Sequence, residues 1–134
     1  MPLTLEIVTP QERVLSTECD EVRLPGVEGG FGVRPGHTPL VAALAAGELI
    51  IVRGEVIAQR YAVGEGFAEV SLDKVRVLVE EALRAEDLDQ AKIVAELQER
   101  QKVLLGLKSD DPEYEAQRAQ VERVAARALV AGKK

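Results

Sequence analysis

From Leu3 the chain alternates. Leu3, Leu5 and Ile7 fall on one side of an extended segment, with Thr4, Glu6 and Val8 on the other, a period of two residues that predicts a half-buried strand. Asp20, Val22 and Leu24 alternate in the same way against Glu21 and Arg23. "GELIIVRG", "EVIAQRYAV", "GFAEVSL" and "KVRVLVE" follow as further short strands bounded by Gly, Pro or Asp. Arg53-Gly54-Glu55 and Leu72-Asp73-Lys74 read as tight turns between them. Short strands at even spacing, each apolar on one face, predict an antiparallel β-sandwich over residues 1–84.

Past residue 85 the period changes to that of a helix. Pro and Gly nearly vanish, and Ala, Glu, Gln, Lys and Arg, which favour helix, take over. Asp87 is expected to cap a first helix running to about Leu105, with Gly106 as its stop. Asp111 is the expected cap of a second helix, with Pro112 as its first residue, and this helix runs to about Val130. Glu113 and Glu115 suit its positive end, and Lys133-Lys134 its negative end. A connection of five to six residues folds the two helices into an antiparallel hairpin over residues 85–134. The fold class is therefore α+β: an N-terminal β-sandwich followed by a C-terminal helical hairpin.

The expected seam of that hairpin is alanine-rich. Leu88, Ala91, Val94, Ala95 and Leu105 share one side of the first helix, opposite Asp89, Lys92, Glu96 and Glu99. Tyr114, Val121, Val124, Ala125 and Ala128 share a side of the second. A buried Ala methyl contributes roughly 0.8 kcal/mol, against about 1.5–3 for Leu or Val. A unit stitched in this way leans on the sandwich or on a partner, and a few kcal/mol is enough to shift such an element between docked states.

The chain has 134 residues and a net charge of −6, which argues against nucleic acid and anionic membrane surfaces as partners. The acidic excess is uneven: residues 1–85 carry 8 basic and 13 acidic side chains, and residues 86–134 carry 9 and 10. Aromatics are only 3%, so the core must be aliphatic. The single cysteine, Cys19, excludes an internal disulfide and reads as a small strand residue in a reducing compartment. No apolar run approaches the ~18 residues of a membrane span, and the N-terminus carries no leader pattern, so no targeting segment is expected.

Catalytic patterns are not found. There is no P-loop, and Gly30, Gly32 and Gly36 are spaced wrongly for a dinucleotide fingerprint. The one histidine, His37, cannot build a His-based metal site. Ser16, Ser71 and Ser109 read as turn residues beside no base, and Glu80-Glu81 and Asp110-Asp111 as solvated strand-end or capping acids. No catalytic residue, metal or cofactor is expected. The stretch "GGFGVRPGHTPL", residues 29–40, concentrates Gly29, Gly30 and Gly32 with Pro35 and Pro39 around an exposed-looking Phe31. Glycine frees the backbone and proline stiffens it again. Two readings stay open for it: a shaped docking loop, or an ordinary sandwich loop with awkward turns.

Three motifs in order narrow the choice: G-x-x-PGH-x-PL from Gly32 to Leu40, a G-G-F-x-E-V-like run from Gly64 to Val70 with Glu65 in place of the second glycine, and R-x-x-D-[IL]-D from Arg84 to Asp89. With "LEIVTP" at the start and an Ala-rich hairpin at the end, the whole chain resembles the ε subunit family of bacterial-type F-ATP synthases. The resemblance implies a non-catalytic subunit of the F1 central stalk that binds γ and stands on the ring of c subunits, coupling proton-driven rotation to ATP synthesis. It implies a peripheral place at the cytoplasmic face of the bacterial plasma membrane, held there through the complex alone. It also implies a hairpin that can extend along γ into the α/β catalytic head and block ATP hydrolysis.

For particular residues, the resemblance places the 28–40 region at the foot of the stalk, so Glu28, Phe31, Arg34, His37 and Leu40 are candidates for the rotor interface. Leu88, Asp89, Lys92, Arg123 and Arg127 are the regulatory or nucleotide-binding candidates. Arg123 and Arg127 lie four apart, so they repel by a few tenths of a kcal/mol unless an anion meets them; the alternative is two solvated arginines. Some relatives bind ATP between the helices through an [IL]-D-x-x-R-A run. Here Leu88 and Asp89 match, Lys92 replaces the Arg and loses its planar fork, Ile93 replaces the Ala, and Leu83 stands in an acidic place. Those departures argue against more than weak ATP–Mg binding. A stand-alone ATP-sensing module without catalysis remains the competing reading.

Overall fold

The computed structural model describes residues 2–133; Lys134, half of the basic pair expected at the end of the second helix, lies outside the described residues. Among those residues, ten strands form two five-stranded sheets. The first sheet runs β2 (Arg13–Cys19), β1 (Leu3–Val8), β9 (Lys74–Val79), β8 (Gly66–Val70), β5 (Leu40–Leu44). The second runs β10 (Ala82–Arg84), β7 (Val56–Val63), β6 (Gly47–Arg53), β3 (Glu21–Leu24), β4 (Phe31–Val33).

Alternation decides what the sheets enclose. Leu3, Leu5 and Ile7 of β1, Val75 and Val77 of β9, Val22 and Leu24 of β3, and Leu49 and Ile51 of β6 are buried in one aliphatic core. Tyr61 is the one fully buried aromatic there, and burial raises the pKa of its hydroxyl. Cys19 closes the same core as a free thiol whose pKa burial likewise raises. The turn after β6 carries φ 57° at Gly54 and φ 67° at Glu55, the two left-handed residues of a type I′ hairpin, whose twist matches that of the flanking strands.

Several expectations change. The first sheet is mixed, because β1 pairs with β9 in parallel. The strands β2, β4, β5 and β10 carry little alternation: β2 buries fully only Cys19, β5 is rich in alanine, and β4 and β10 have three residues each. Ser16, read as a turn residue, is in β2. Asp87 ends a 3₁₀ turn, Ala85–Asp87, and the first helix is capped instead by Asp89, whose Oδ1 accepts from the Lys92 N–H at 3.2 Å.

That helix, α1, spans Gln90–Leu105 and stops at Gly106, which keeps a right-handed φ of −80°. The second, α2, spans Tyr114–Ala131, two residues later than expected. Asp111 still caps, but it accepts from the Glu113 N–H at 2.8 Å within the preceding turn, and Pro112 stays outside the helix.

The hairpin lies on the outer face of the second sheet. α2 packs on β6 and β7, and α1 packs on α2. Its apolar cluster is Ala62, Ala85, Leu88, Ile93, Val124, Val130 and Ala131, with Leu97 and Ala128 half-buried beside it. The seam on α1 is rotated from the expected one. Ile93 is buried, while Glu96, Leu97, Arg100 and Leu104 are half-buried; Ala91, Val94, Ala95 and Leu105 face solvent, with Leu105 87% exposed. Burying the larger Ile and Leu side chains gains more than burying alanines, and Glu96 on that stripe pairs with Arg100 and faces Arg127. On α2, Val121, Val124 and Ala128 face inward as expected, but Ala125 does not.

Candidate functional site

The five candidates from the 28–40 stretch do not form one surface. Glu28 is exposed in the turn between β3 and β4, where Gly29 takes φ 130°. Gly26 closes this turn, and a side chain there would lie 2.6 Å from the Gly29 carbonyl oxygen and 3.0 Å from the Phe31 ring. Phe31 is half-buried and packs against the core, which corrects its expected exposure. The register pairs Leu24 with Phe31 and Val22 with Val33, so the chain leaves β4 at the opposite end. Arg34 and His37 lie at that second end, and Leu40 packs on the core where β5 begins.

At that end Arg34 is open to solvent and 3.8 Å from Glu21. His37 donates from Nδ1 to the Thr38 carbonyl at 2.7 Å, so its ring braces the loop. The Gly36 N–H donates to the Leu72 carbonyl at 2.5 Å and ties the loop to the β8–β9 turn. Gly36 needs φ 82° to do so.

The helix-borne candidates also separate. Leu88 is buried under α2, and Lys92 is exposed. Asp89 is spent on the α1 cap. Ile93, which departs from the ATP-binding pattern, is part of the buried cluster. Arg123 and Arg127 are not solvated. Arg123 Nε donates to Glu65 at 2.8 Å, and Arg127 donates twice to Glu81, at 2.7 and 2.8 Å. Hydrogen bonds to Glu65 and Glu81 hold both guanidiniums above their usual pKa. Glu81, read as a solvated strand-end acid, is therefore a docking group. Lys133 adds a third tie to Glu48 at 2.9 Å.

Sequence reasoning missed these carboxylates. Two signals were present: Glu65 interrupts the Gly64–Gly66 run, and Glu80-Glu81 follows a strand that leads toward the hairpin. It also missed an apolar row across the outer face of the first sheet. The registers align Val8 with Leu78, Leu78 with Phe67, and Phe67 with Ala43. The Val27 N–H bonds the Ala43 carbonyl at 3.0 Å and extends the row past the sheet edge. Phe67 is 55% exposed and Val27 62%. Phe67 is one of two phenylalanines in the chain and stands on the solvent side of its strand. No such row is open on the second sheet where α2 covers β6 and β7.

Among the described residues no three His, Cys, Asp or Glu side chains come together as a metal set. Among the described residues no helix is long and apolar enough to cross a membrane.

Comparison with known proteins bears on this arrangement. Residues 2–85 match the family model described as ATP synthase, delta/epsilon chain, beta-sandwich domain. An ATP synthase epsilon chain of Anaeromyxobacter sp. (strain K) is 46% identical over 133 residues, covering 99% of this chain and 100% of that one. One of Geobacter metallireducens is 41% identical over 131 residues, covering 98% and 94%. A chain in the structure of the Euglena gracilis mitochondrial ATP synthase (OSCP/F1/c-ring) superposes with a TM-score of 0.78 at 24% identity, covering 99% of this chain and 82% of that one. One in the Tetrahymena thermophila mitochondrial ATP synthase central stalk and c-ring gives 0.61 at 10% identity, covering 98% and 97%. At those identities the two structures bear on the fold alone.

Proposed function

We propose, from the premise that this chain belongs to the ATP synthase epsilon-chain family, that its sandwich binds γ and the c-subunit ring and passes rotation between them, while its hairpin restrains ATP hydrolysis. The observation that carries the reading is the unequal cover of the two sheets. The second sheet's outer face is occupied by the chain's own hairpin, through side chains that are mostly small or charged. The first sheet's outer face presents Val8, Leu78, Phe67, Ala43 and Val27 as a continuous apolar strip. Exposed apolar strips of this kind mark lasting protein contacts, and γ is its proposed occupant.

The ring is the proposed partner of one sandwich end. The turn of residues 25–30, with Val27 and Glu28 exposed, is continuous with the γ strip. The opposite loop, with Arg34 and His37, is braced internally. The hairpin's part is to leave the second sheet and reach the α/β head. Its small apolar cluster makes that transition affordable within a few kcal/mol. The reading includes no nucleotide between the helices, since Arg123 and Arg127 already hold carboxylates and Ile93 is packed.

The test is reconstitution with an F1 complex that lacks this subunit. The full chain should co-purify with γ and lower ATP hydrolysis; a chain ending at residue 85 should bind γ and leave hydrolysis high. Equal inhibition by the truncated chain removes the hairpin's role. Failure of both chains to bind γ removes the rotor assignment. Calorimetry with ATP and Mg²⁺ on the full chain should give no heat of tight binding.

A further inference from the structure

We infer that an ionic latch holds the hairpin to the sandwich: Glu65 and Glu81, on two hydrogen-bonded turns, clamp Arg123 and Arg127 of α2, and loosening it frees the hairpin. The two turns form one acidic ledge. The Gly64 N–H donates to the Glu81 carbonyl at 2.9 Å, and the Glu80 N–H to the Glu65 carbonyl at 3.1 Å. Residues four apart on a helix share a face, so both guanidiniums meet that ledge together. Left unmatched, the same two arginines would repel. The ledge turns a cost on the free helix into a gain on the docked one.

The apolar glue beside it is modest: Val124 and Val130 are the large side chains that α2 buries fully. Four of the cluster's residues that α2 packs with or contributes, Ala62, Ala85, Ala128 and Ala131, bury one methyl each. The third arginine of α2 gives the ledge no hydrogen bond, since Arg118 pairs along its own helix with Glu115 and Glu122; it reaches Glu65 only as a nearby charge. Lys133–Glu48 ties the far end of α2, where the charge is compact and less directional.

The two pairs differ in solvent access. Glu65 keeps 37% exposure, whereas Glu81 keeps 22% and is held by two bonds. Screening by salt acts most on the more exposed pair, so the Glu65 pair gives way first and the Glu81 pair second. This latch goes beyond the proposed function, because it is a property of the isolated chain whether or not hydrolysis is inhibited.

The experiment places paired spin labels at Thr38→Cys and Ser109→Cys in full-length protein with Cys19→Ala; both label sites are exposed. At about 20 mM salt a single narrow distance is expected, and at about 1 M salt the undocked share should rise about tenfold. Glu65→Gln should give a comparable rise at low salt, and Arg118→Ala, which removes a nearby charge but no hydrogen bond to the ledge, a much smaller one. A wild-type distance that stays narrow at every salt overturns the latch without any interface variant. So does an Arg118→Ala effect equal to that of Arg123→Ala. An arm that releases with salt yet never affects hydrolysis upholds the latch and removes the inhibitory reading; a locked arm with full inhibition overturns the latch and also removes extension into the α/β head as the route of inhibition.

Discussion

Arg127 of α2 grips Glu81 of the β9–β10 turn with two parallel bonds, Nε to Oε2 at 2.7 Å and Nη2 to Oε1 at 2.8 Å, and both side chains are about four-fifths withdrawn from water. A bidentate, partly desolvated pair is the kind of ion pair that contributes to stability, unlike the exposed pairs along the outer helix surface.

Removing Arg127 strands Glu81 with a partly desolvated charge. Arg127→Ala should weaken hairpin docking by about 1–3 kcal/mol, and Arg127→Lys by less, because one prong is kept. Urea denaturation followed by a fluorophore on the hairpin reads this; urea is used because guanidinium would screen the pair. Equal midpoints for wild type and Arg127→Ala would show that the pair contributes nothing.

Acid should loosen the arm through Glu65. Burial pushes its carboxyl up, but the hydrogen bond from Arg123, the backbone bond and the nearby charges of Arg123 and Arg118 together hold it below its ordinary 4.5. A folded value below the unfolded one stabilises docking above pH 4.5 and loses that contribution as pH falls through the lower value. Docking should therefore be level from about pH 7 to 5 and fall below that. Glu80 and Glu81 are the charged neighbours on the sandwich, so the Glu65→Gln variant, which cannot titrate at that position, is the reference. If the two proteins show superimposable acid profiles, Glu65 does not carry the effect.

Glycines in the sandwich divide by the space around them. A Cβ on Gly66 would lie 1.9 Å from the Leu78 carbonyl oxygen and 2.8 Å from the Val79 Cα, so the strands β8 and β9 would have to part. Gly66→Ala should cost more than about 3 kcal/mol. At Gly30 the nearest atom is 3.7 Å away and φ is not left-handed, so Gly30→Ala should stay within about 0.5 kcal/mol. Chemical denaturation of the two variants checks both, and similar losses would contradict the packing argument.

Phe67 separates folding from assembly. Its ring is 55% exposed, so Phe67→Ser should change the isolated chain's stability by no more than about 0.5 kcal/mol. Binding to γ should weaken by at least about tenfold if the strip is the docking face. Leu129→Ser, equally exposed on α2 at 51%, should leave γ binding unchanged. The reverse ranking would move γ to the other face.

The strands with strong alternation were legible, because a period of two leaves a visible trace when one face is buried. The edge strands β2 and β5 were not, since burial asks little of them: β2 mixes Val14 and Leu15 with polar residues, and β5 is an unbroken apolar run with no polar alternation. On α1 two stripes had helical spacing, Ala91–Val94–Ala95 and Ile93–Leu97–Leu104, and the smaller residues misled. Among the site residues, Arg123 and Arg127 were visible as an unexplained like-charged pair. Their partners were not, because Glu65 and Glu81 lie 58 and 46 residues away along the chain.

Period, composition and capping residues alone were enough to predict an aliphatic sandwich followed by two helices, because those choices are local: they depend on neighbours within a turn or a strand. Which face of the hairpin turned inward, which acids met its arginines, and which outer sheet face was left bare were decided only when distant segments came together. The gains that select among such arrangements come from contacts that no short window of sequence contains.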